Sequence, residues 1–238
     1  MFMNDPNESE VSEIMKENEV FLQQAKKEDS PAWVAEIAKS KNATQIFVVA
    51  GVGKNTAYVS MHEKDSDGNW KELISTPGFI GKNGLGKTRE GDGMTPVGIF
   101  HFNAAFGIAD NPGCSFDYKK VTYDDYWSGE QRKKHRYNKM VSIKDFPDLD
   151  KKNSEHIIDY TYQYQYCLNI SYNEECDTEK GSAIFLHCFG ANKPYTVGCV
   201  AIPKDQMIKV MRNVKKDCVV IIDSLKNISL ETWNNWGL

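Results

Sequence analysis

Short runs of β-branched and aromatic residues, separated by turn signals, dominate the chain from residue 44 onward. The first three runs are TQIFVVA (44–50), AYVSMHE (57–63) and WKELIST (70–76). Runs of this length and composition are typical of β-strands. KDSDGN (64–69) joins the second run to the third. Its Asp-Gly pair favours a hairpin turn over a calcium loop, because an EF-hand loop needs glycine where Trp70 stands.

Five further runs have the same character, and few helical patterns lie between them. They are VGIFHF (97–102), YQYCLNISY (164–172), SAIFLHCF (182–189), TVGCVAIP (196–203) and CVVIID (218–223). KDQMIKVMRNVKK (204–216) has one apolar helical face, and SEHIIDY (154–160) favours another short helix. Because helices do not alternate regularly with strands, the sequence predicts an α+β, mostly β fold.

The segment before residue 44 predicts two helices that pack on the main domain. Residues 8–27 carry a helical stripe of apolar side chains. DSPAWVAEIAKS (29–40) starts the second helix, with Ser30 as N-cap and Pro31 at the first helical position. The predicted division of the chain is an N-terminal helical extension (1–43), a main domain (44–226) and a C-terminal tail (227–238).

Charge and hydropathy argue against two classes of partner. The formal net charge is −4 and the pI about 5.8, which gives no electrostatic case for nucleic-acid binding. The one basic cluster, QRKKHR (131–136), predicts a solvated loop. No apolar run approaches the roughly 18 residues that span a bilayer, so no transmembrane segment is expected. The N-terminus lacks a signal-peptide pattern, so the protein is either intracellular or exported with its signal removed.

The glycine-rich stretch GKNGLGKTREGDGMTPVGIF (81–100) contains a formal match to a phosphate-binding loop. Residues 81–88 fit GxxxxGKT. A phosphate-binding loop must lie after a strand and open a helix, whereas glycines, a proline and then a strand run come next here. The stretch therefore predicts a loop that leads into a strand.

Strand alternation separates the two cysteines of LHCFGANKPYTVGCVAIP (186–203). If SAIFLHCF is a strand, His187 and Phe189 share one face, while Cys188 lies on the opposite, apolar face with Leu186. An antiparallel pairing about residue 193 would place His187 directly opposite Cys199. Opposed residues lie close enough for an imidazole to take a proton from a thiol.

Other uses of these residues stay open at this stage. Both cysteines could be structural thiols, since free cysteine is often buried. A zinc site is disfavoured because Cys188 faces away from His187 and the other histidines fall into no ligand spacing. Among the six cysteines, Cys167 and Cys176 flank a polar turn and form the pair expected to bond in an oxidising compartment.

Two motifs in this order resemble the catalytic domain of the L,D-transpeptidases (YkuD type). His187 followed twelve residues later by the cysteine of TVGCV resembles their catalytic signature, and GDGMTPVGIF is similar to their GD..TP.G.F segment. With QIFVVAG, the resemblance runs from about 44 to 223. It implies that the main domain (44–226) is a catalytic domain with a mixed β-sandwich and a few packed helices.

The resemblance also implies roles for individual residues. Cys199 would be the nucleophile and His187 the general base. The amides of Gly198 and Cys199 would form the oxyanion hole, and Thr196 would be the motif's Ser/Thr and contact substrate. Many members carry an arginine where this chain has Ala201. Arg89 is a candidate to bind the substrate carboxylate instead, with an ion pair to Glu90 or Asp92 as the alternative.

Four aromatic residues are candidates for the walls of the substrate groove, with a place in the aromatic core as the alternative: Tyr126, Trp127, Phe189 and Tyr195. The implied function is acyl transfer from a peptidoglycan stem tetrapeptide to an amine of a second stem, without metal or cofactor. An L,D-carboxypeptidase that uses water and a non-catalytic wall-binding domain are the alternatives. The implied protein is a monomer that acts outside the cytoplasm at the cell wall, its export signal absent from this sequence.

Overall fold

The computed structural model describes residues 28–228, so the helix predicted over 8–27 and most of the predicted tail lie outside the described residues. Within this range the strands are β1 (Glu28–Asp29), β2 (Gln45–Gly51), β3 (Thr56–Lys64), β4 (Trp70–Phe79), β5 (Gly98–Gly107), β6 (Tyr118–Lys120), β7 (Asp125–Ser128), β8 (Lys139–Ser142), β9 (Glu155–His156), β10 (Cys167–Ile170), β11 (Phe185–Cys188), β12 (Val200–Ile202) and β13 (Val219–Ser224). The α-helices are α1 (Ala32–Lys41), α2 (Lys204–Asn213) and α3 (Leu225–Ile228). The predicted mostly β, α+β class is confirmed.

Eight of these strands pair in the order β4-β12-β11-β10-β5-β13-β2-β3, and β3 pairs back with β4. The hydrogen-bonded path therefore closes into one ring, called the ring below. Its β3–β4 hairpin is the one predicted from KDSDGN: Asp65 and Asn69 close the turn with a hydrogen bond of 2.8 Å, and Gly68 has φ +88°. The division of the strands into two layers of a sandwich stays a prediction.

The interior of the ring is filled by apolar side chains from all eight strands. Leu186 and Cys188 of β11 belong to this cluster, together with Val200 and Ile202 of β12. Helix α2 adds its predicted apolar face through three buried side chains, which are Met207, Val210 and Met211. Fully burying one large aliphatic side chain stabilises a fold by about 1.5–3 kcal/mol, so this cluster is the main source of stability.

Helix α1 packs on the outside of the ring, over β2 and β13. Its Ile37 meets a second apolar cluster that includes Val48 and Ile221, as predicted for a helix packed on the main domain. The predicted cap is wrong by one residue. Pro31 is the N-cap, while the Ser30 hydroxyl hydrogen-bonds Nδ1 of His62 at 2.9 Å and is therefore held by the sheet.

A long connection between β5 and β10, residues 108–166, covers the outer face of β5, β10 and β11. We call it the insertion. Its strands β8, β7 and β9 form a separate small sheet. The helix predicted near 154–160 is wrong: Glu155 and His156 pair with β7, and Ile157–Asp159 form a single 3-10 turn. The His156 ring stacks on Tyr126, which explains why strand pairing prevails over local helical pattern.

The basic cluster 131–136 also departs from prediction, because it is not simply a solvated loop. Arg136 is buried, with ion pairs to Glu130 at 3.1 Å and Asp148 at 2.9 Å. Arg132 and Lys133 line the cavity described below. The pairing of Arg136 with two carboxylates supplies the compensation that a buried guanidinium requires.

Strands β11 and β12 pair in parallel, not as the predicted antiparallel hairpin. His187 lies beside Ala201 in this register. The connecting loop is held away from β11 because the amide of Thr196 donates to Ile80 and its carbonyl accepts from Lys82. The chain therefore crosses to another part of the molecule and re-enters the sheet in the same direction as β11.

Candidate active site

The parallel register places His187 and Cys199 on the same side of the sheet. Cys199 precedes Ala201 by two residues, and side chains two apart along a strand share a face. His187 and Cys199 both line a cavity of about 1270 Å³ between the ring and the insertion. Cys188, by contrast, is 1% exposed inside the ring. The structure thus brings His187 and Cys199 together by a geometry other than the predicted one.

The Cys199 thiol is held by backbone groups of the segment that enters β11. Sγ donates to the carbonyl of Ala183 at 3.2 Å and accepts from the amide of Phe185 at 3.4 Å. Burial raises the pKa of this thiol to about 12. The charge of Glu155 adds to the increase, whereas the Phe185 amide and Lys87 oppose it. The resting group at neutral pH is therefore the thiol.

The contacts of His187 define which of its nitrogens can accept a proton. Nδ1 lies 2.7 Å from the carbonyl oxygen of Cys188. A carbonyl only accepts, so Nδ1 carries the hydrogen and Nε2 keeps its lone pair. Burial lowers the pKa of His187 to about 4, and the Cys188 carbonyl opposes this shift only in part. The imidazole is therefore a neutral acceptor under ordinary conditions.

Two threonines fix the backbone of Cys199. Its carbonyl accepts from Oγ1 of Thr196 at 2.6 Å and from Oγ1 of Thr95 at 3.2 Å. Thr95 also accepts from the amide of Gly81 at 2.8 Å, so the glycine-rich loop (81–95) is bound to the cysteine loop. Thr95 belongs to the Thr-Pro pair of the upstream motif, which explains in structural terms why the two motifs occur together.

The same contacts change the predicted roles of Thr196 and Gly198. The Thr196 hydroxyl donates to Cys199 and accepts from the amide of Gly198 at 3.1 Å, so it positions the loop, and Thr196 also lines the cavity. The amide of Gly198 is for the same reason directed at Thr196 and not at an oxyanion. The amide of Cys199 is left as the candidate donor.

Gly198 is nevertheless required by its backbone. Its φ is +150°, and an added Cβ would lie 3.1 Å from Cδ1 of Ile184 and 3.1 Å from the carbonyl oxygen of Met94. A side chain at this position would combine an unfavourable φ with a crowded site. Glycine therefore allows the Cys199 loop to approach the glycine-rich loop.

The glycine-rich loop contains a buried ion pair that the sequence did not reveal. Lys87 Nζ lies 3.1 Å from Oδ1 of Asp92, and the two side chains are 2% and 7% exposed. Burial works to raise the pKa of Asp92, but three backbone amides and Lys87 outweigh it, so this pKa lies below its ordinary value. The loop leads into β5 and opens no helix, as predicted.

The structure gives no support to the predicted carboxylate-binding role of Arg89. Its side chain is exposed and does not line the cavity, where Lys87 is found instead. The alternative ion pair is also wrong for the described residues: Asp92 pairs with Lys87, and Glu90 accepts from Tyr137 and Ser182.

The four candidate aromatic residues divide into two groups. Trp127 and Tyr195 line the cavity. Tyr126 alternates with Trp127 along β7 and therefore lies in the small core of the insertion with Val141 and Leu149. Phe189 does not line the cavity but packs on Phe79, which does, with ring centroids 4.8 Å apart. Neither Tyr126 nor Phe189 lines the cavity, so the structure gives no support to their predicted substrate contacts.

The insertion brings two residues to the site that sequence reasoning missed. Tyr164 donates from its hydroxyl to Oε2 of Glu155 at 2.7 Å, and its ring meets the His187 ring edge-on at 5.4 Å. Burial raises the pKa of Glu155 to about 7, although the Tyr164 hydrogen bond opposes the shift. Only recognition of β9 as a strand paired with β7 would have pointed to Glu155.

None of the other five cysteines shares the cavity with His187. All six cysteines are free thiols. Cys167 is buried beneath the insertion, and Cys176 lies on a turn where its thiol donates to the carbonyl of Glu174.

Across residues 28–228, no three His, Cys, Asp or Glu side chains are grouped to hold a metal ion. None of the helices in the same range has the length and apolar character that crossing a bilayer requires.

Residues 53–222 match the L,D-transpeptidase catalytic domain family, YkuD, and the chain belongs to this family. Its members are of the cysteine-dependent L,D-transpeptidase type, related to peptidoglycan. Among solved structures, the crystal structure of Mycobacterium tuberculosis L,D-transpeptidase 1 is similar at 12% identity with a TM-score of 0.34. The match covers 76% of this chain and 62% of that one, so this chain spans less than two thirds of that length. The comparison with curated proteins returned no match.

Proposed function

We propose that this protein is a peptidoglycan L,D-transpeptidase in which Cys199 is the nucleophile and His187 the general base. The observation that carries the proposal is the presence of a thiol and an imidazole with a free Nε2 in one cavity. The catalytic domain spans residues 44–226 and acts as a monomer outside the cytoplasm. Trp127 and Tyr195 form walls of the groove for the stem peptide.

Acylation starts from a neutral pair. As Sγ of Cys199 attacks the carbonyl carbon of the diamino acid, its proton passes to Nε2 of His187. The C–N bond to the terminal D-Ala breaks, and the imidazolium gives the same proton to the leaving amine. The product is a thioester, and His187 returns to its neutral form.

The resting thiol must turn before this step, because it donates to the Ala183 carbonyl in the free enzyme. Catalytic hydrogen bonds often form only when substrate is bound. The negative charge that develops on the carbonyl oxygen is stabilised by the amide of Cys199, which the two threonine contacts hold in place. The positive charge of Lys87 favours the thiolate that develops on Cys199.

In the second half-reaction an amine of another stem peptide attacks the thioester and forms the cross-link. If water attacks instead, the enzyme is an L,D-carboxypeptidase. If neither half-reaction occurs, the domain binds the cell wall without catalysis. The three functions differ in their products, so one assay separates them.

The test is to incubate the protein with a disaccharide-tetrapeptide and to separate the products by liquid chromatography with mass detection. A cross-linked dimer with release of D-Ala supports the transpeptidase. Tripeptide alone supports the carboxypeptidase, and unchanged tetrapeptide supports the binding domain. Cys199→Ala is the control, and dimer formation by this variant would contradict the assignment of the nucleophile.

A further inference from the structure

Glu155 lines the cavity but has no part in the acylation step. It lies opposite Trp127 in the β7–β9 pair, and directly opposed residues share a face of a sheet. Trp127 packs edge-on against Phe185 at 4.7 Å, in the cluster that contains Cys199. The small sheet of the insertion therefore presents the Glu155 carboxyl on the side of the nucleophile.

Within the part of the chain that the structure describes, this carboxylate has one hydrogen-bond donor and no ion-paired cation. Tyr164 donates to Oε2, whereas a carboxylate can accept about four hydrogen bonds. Across residues 28–228, no lysine or arginine forms an ion pair with Glu155, and Lys87 is paired with Asp92. Removing a charged carboxylate from water without a paired cation is unfavourable in free energy. A cationic group from a bound ligand offsets this desolvation penalty.

The geometry assigns Glu155 to the subsite for the acceptor amine: its carboxylate binds the incoming ammonium group and takes one proton from it. This assignment rests on the proposed function and names the residue that favours an amine over water. The need for such a group follows from chemistry. An alkyl amine has a pKa near 10, so at neutral pH it must lose a proton before its nitrogen can attack.

The protons of the second half-reaction then balance. The acceptor enters with three hydrogens on nitrogen. One passes to the Glu155 carboxylate, and the neutral nitrogen attacks the thioester carbonyl. When the C–S bond breaks, a second hydrogen passes through His187 to the departing Cys199 sulfur. The third remains on the new amide, and Glu155 later releases its proton to solvent.

The pKa of Glu155, raised to about 7 by burial, is consistent with this role, since a proton acceptor works best with a pKa near the working pH. The groups whose charges act between Glu155 and the site come from the ring, the insertion and the glycine-rich loop. They are Glu90, Tyr160, Tyr164, Cys167 and Cys199. Burial raises the pKa of Tyr160 and that of Cys199 to about 12, and it raises the pKa values of Tyr164 and Cys167 well above their ordinary values. Burial lowers the pKa of His187 to about 4. These tyrosines, cysteines and His187 therefore do not titrate near pH 7.

The test compares Glu155→Gln with the wild type in two measurements. The first is the rate of acylation by a tetrapeptide donor, followed by intact mass. The second is the partition of the acyl-enzyme between an amine acceptor and water, measured from pH 5.5 to 9. Glu90→Gln is the matched control, because Glu90 also lines the cavity but accepts hydrogen bonds from Tyr137 and Ser182.

We expect Glu155→Gln to acylate at least as fast as the wild type, because the charge of Glu155 is one of the influences that raise the pKa of the Cys199 thiol. Acylation also shows that the variant is folded. Attack by the amine should fall by about 100-fold at pH 7. In the wild type this attack should rise and level off above about pH 7, whereas in the variant it should keep rising toward the pKa of the free amine, near 10. Glu90→Gln should keep both features. Two results for Glu155→Gln overturn this inference and leave the proposed function standing. In the first, the variant acylates and its acyl-enzyme partitions between amine and water as in the wild type. In the second, this variant alone fails to acylate. Failure of the wild type to acylate overturns both.

Discussion

The two faces of β11 and β12 carry the same residue types in very different surroundings. Cys188 on the inner face is 1% exposed, and Cys199 on the outer face is 6% exposed, so burial alone does not distinguish them. Cys188 is surrounded by aliphatic side chains of the ring. Cys199 shares a cavity with an imidazole, a lysine and a carboxyl group. Strand alternation thus places a packing cysteine and a reactive cysteine within a few residues of each other.

The outer face acquires its chemistry from segments distant in sequence. The glycine-rich loop brings Thr95 and Lys87, and the insertion brings Glu155 and Tyr164. The inner face needs only the alternation of apolar residues along the strands. Substitutions on the outer face should therefore affect catalysis and charge balance, whereas those on the inner face should affect stability alone.

The largest effect is expected for His187→Gln. Loss of the general base should lower the acylation rate by about 10²–10⁴-fold. Because burial lowers the pKa of His187 to about 4, the neutral base persists well below pH 6.5, and the wild-type rate should fall only as the pH drops through about 4. Pre-steady-state acylation, followed by intact mass, measures the rate loss in the variant and the pH dependence of the wild type.

His62→Gln is the matched control for His187. The pKa of His62 is also lowered to about 4 by burial, but His62 hydrogen-bonds Ser30 and Ser60 and lies outside the cavity. This variant should acylate normally if it is folded. An acid limb near pH 6.5 in the wild type would contradict the account of His187.

The next effect is expected at the buried ion pair of the outer face. Lys87→Met leaves Asp92 buried without its cation, which should lower the free energy of unfolding by about 3–5 kcal/mol. Lys120→Met, which breaks the exposed pair with Asp110, is the control and should cause no measurable change. Urea denaturation of both variants measures the difference, and equal losses would show that burial of the pair is not what matters.

A smaller effect is expected for Gly198→Ala. The backbone φ is +150°, and the added Cβ would approach Ile184 and Met94 to 3.1 Å. The variant should therefore lose about 1–3 kcal/mol in free energy of unfolding and acylate more slowly. Gly91→Ala tests the steric part, since Gly91 also has a positive φ, of +72°, but meets nothing within 4 Å. Thermal unfolding should show the greater loss for Gly198→Ala. The reverse order would mean that crowding at the Cys199 loop is unimportant.

The last effect concerns the pH dependence of stability, which should differ between the wild type and Glu155→Gln. Glu155 has a pKa raised from 4.5 to about 7 in the folded protein, so the fold favours the neutral acid. The wild type should therefore lose stability between about pH 4.5 and pH 7 relative to the variant, by up to about 3 kcal/mol in total. Urea denaturation at pH 5 and pH 8 measures this change, and a constant difference would contradict the raised pKa.

Local pattern was sufficient where local forces decide the structure. The Asp-Gly turn at 64–69, the apolar face of α2 and the separation of Cys188 from Cys199 all result from a period of 2 or 3.6 residues. The glycine-rich loop was distinguished from a phosphate-binding loop because the chain continues from it into a strand and not into a helix.

Contacts between distant segments decided the rest. The direction of β12 depends on two backbone hydrogen bonds of Thr196, one donated to Ile80 and one accepted from Lys82, which no local pattern contains. The neighbours of Glu155 have helical spacing and predict a helix, but pairing with β7 makes Glu155 a strand residue. Lys87 was overlooked because lysine is almost never fully buried unless it is paired, and its partner was identifiable only in three dimensions.

The most direct test of the account is the intact mass of the protein after incubation with a carbapenem or a tetrapeptide donor. Wild type and Cys188→Ala should each gain one acyl adduct, and Cys199→Ala should gain none. Loss of the adduct in a folded Cys188→Ala, or its retention in Cys199→Ala, would contradict the assignment of the chemistry to the outer face.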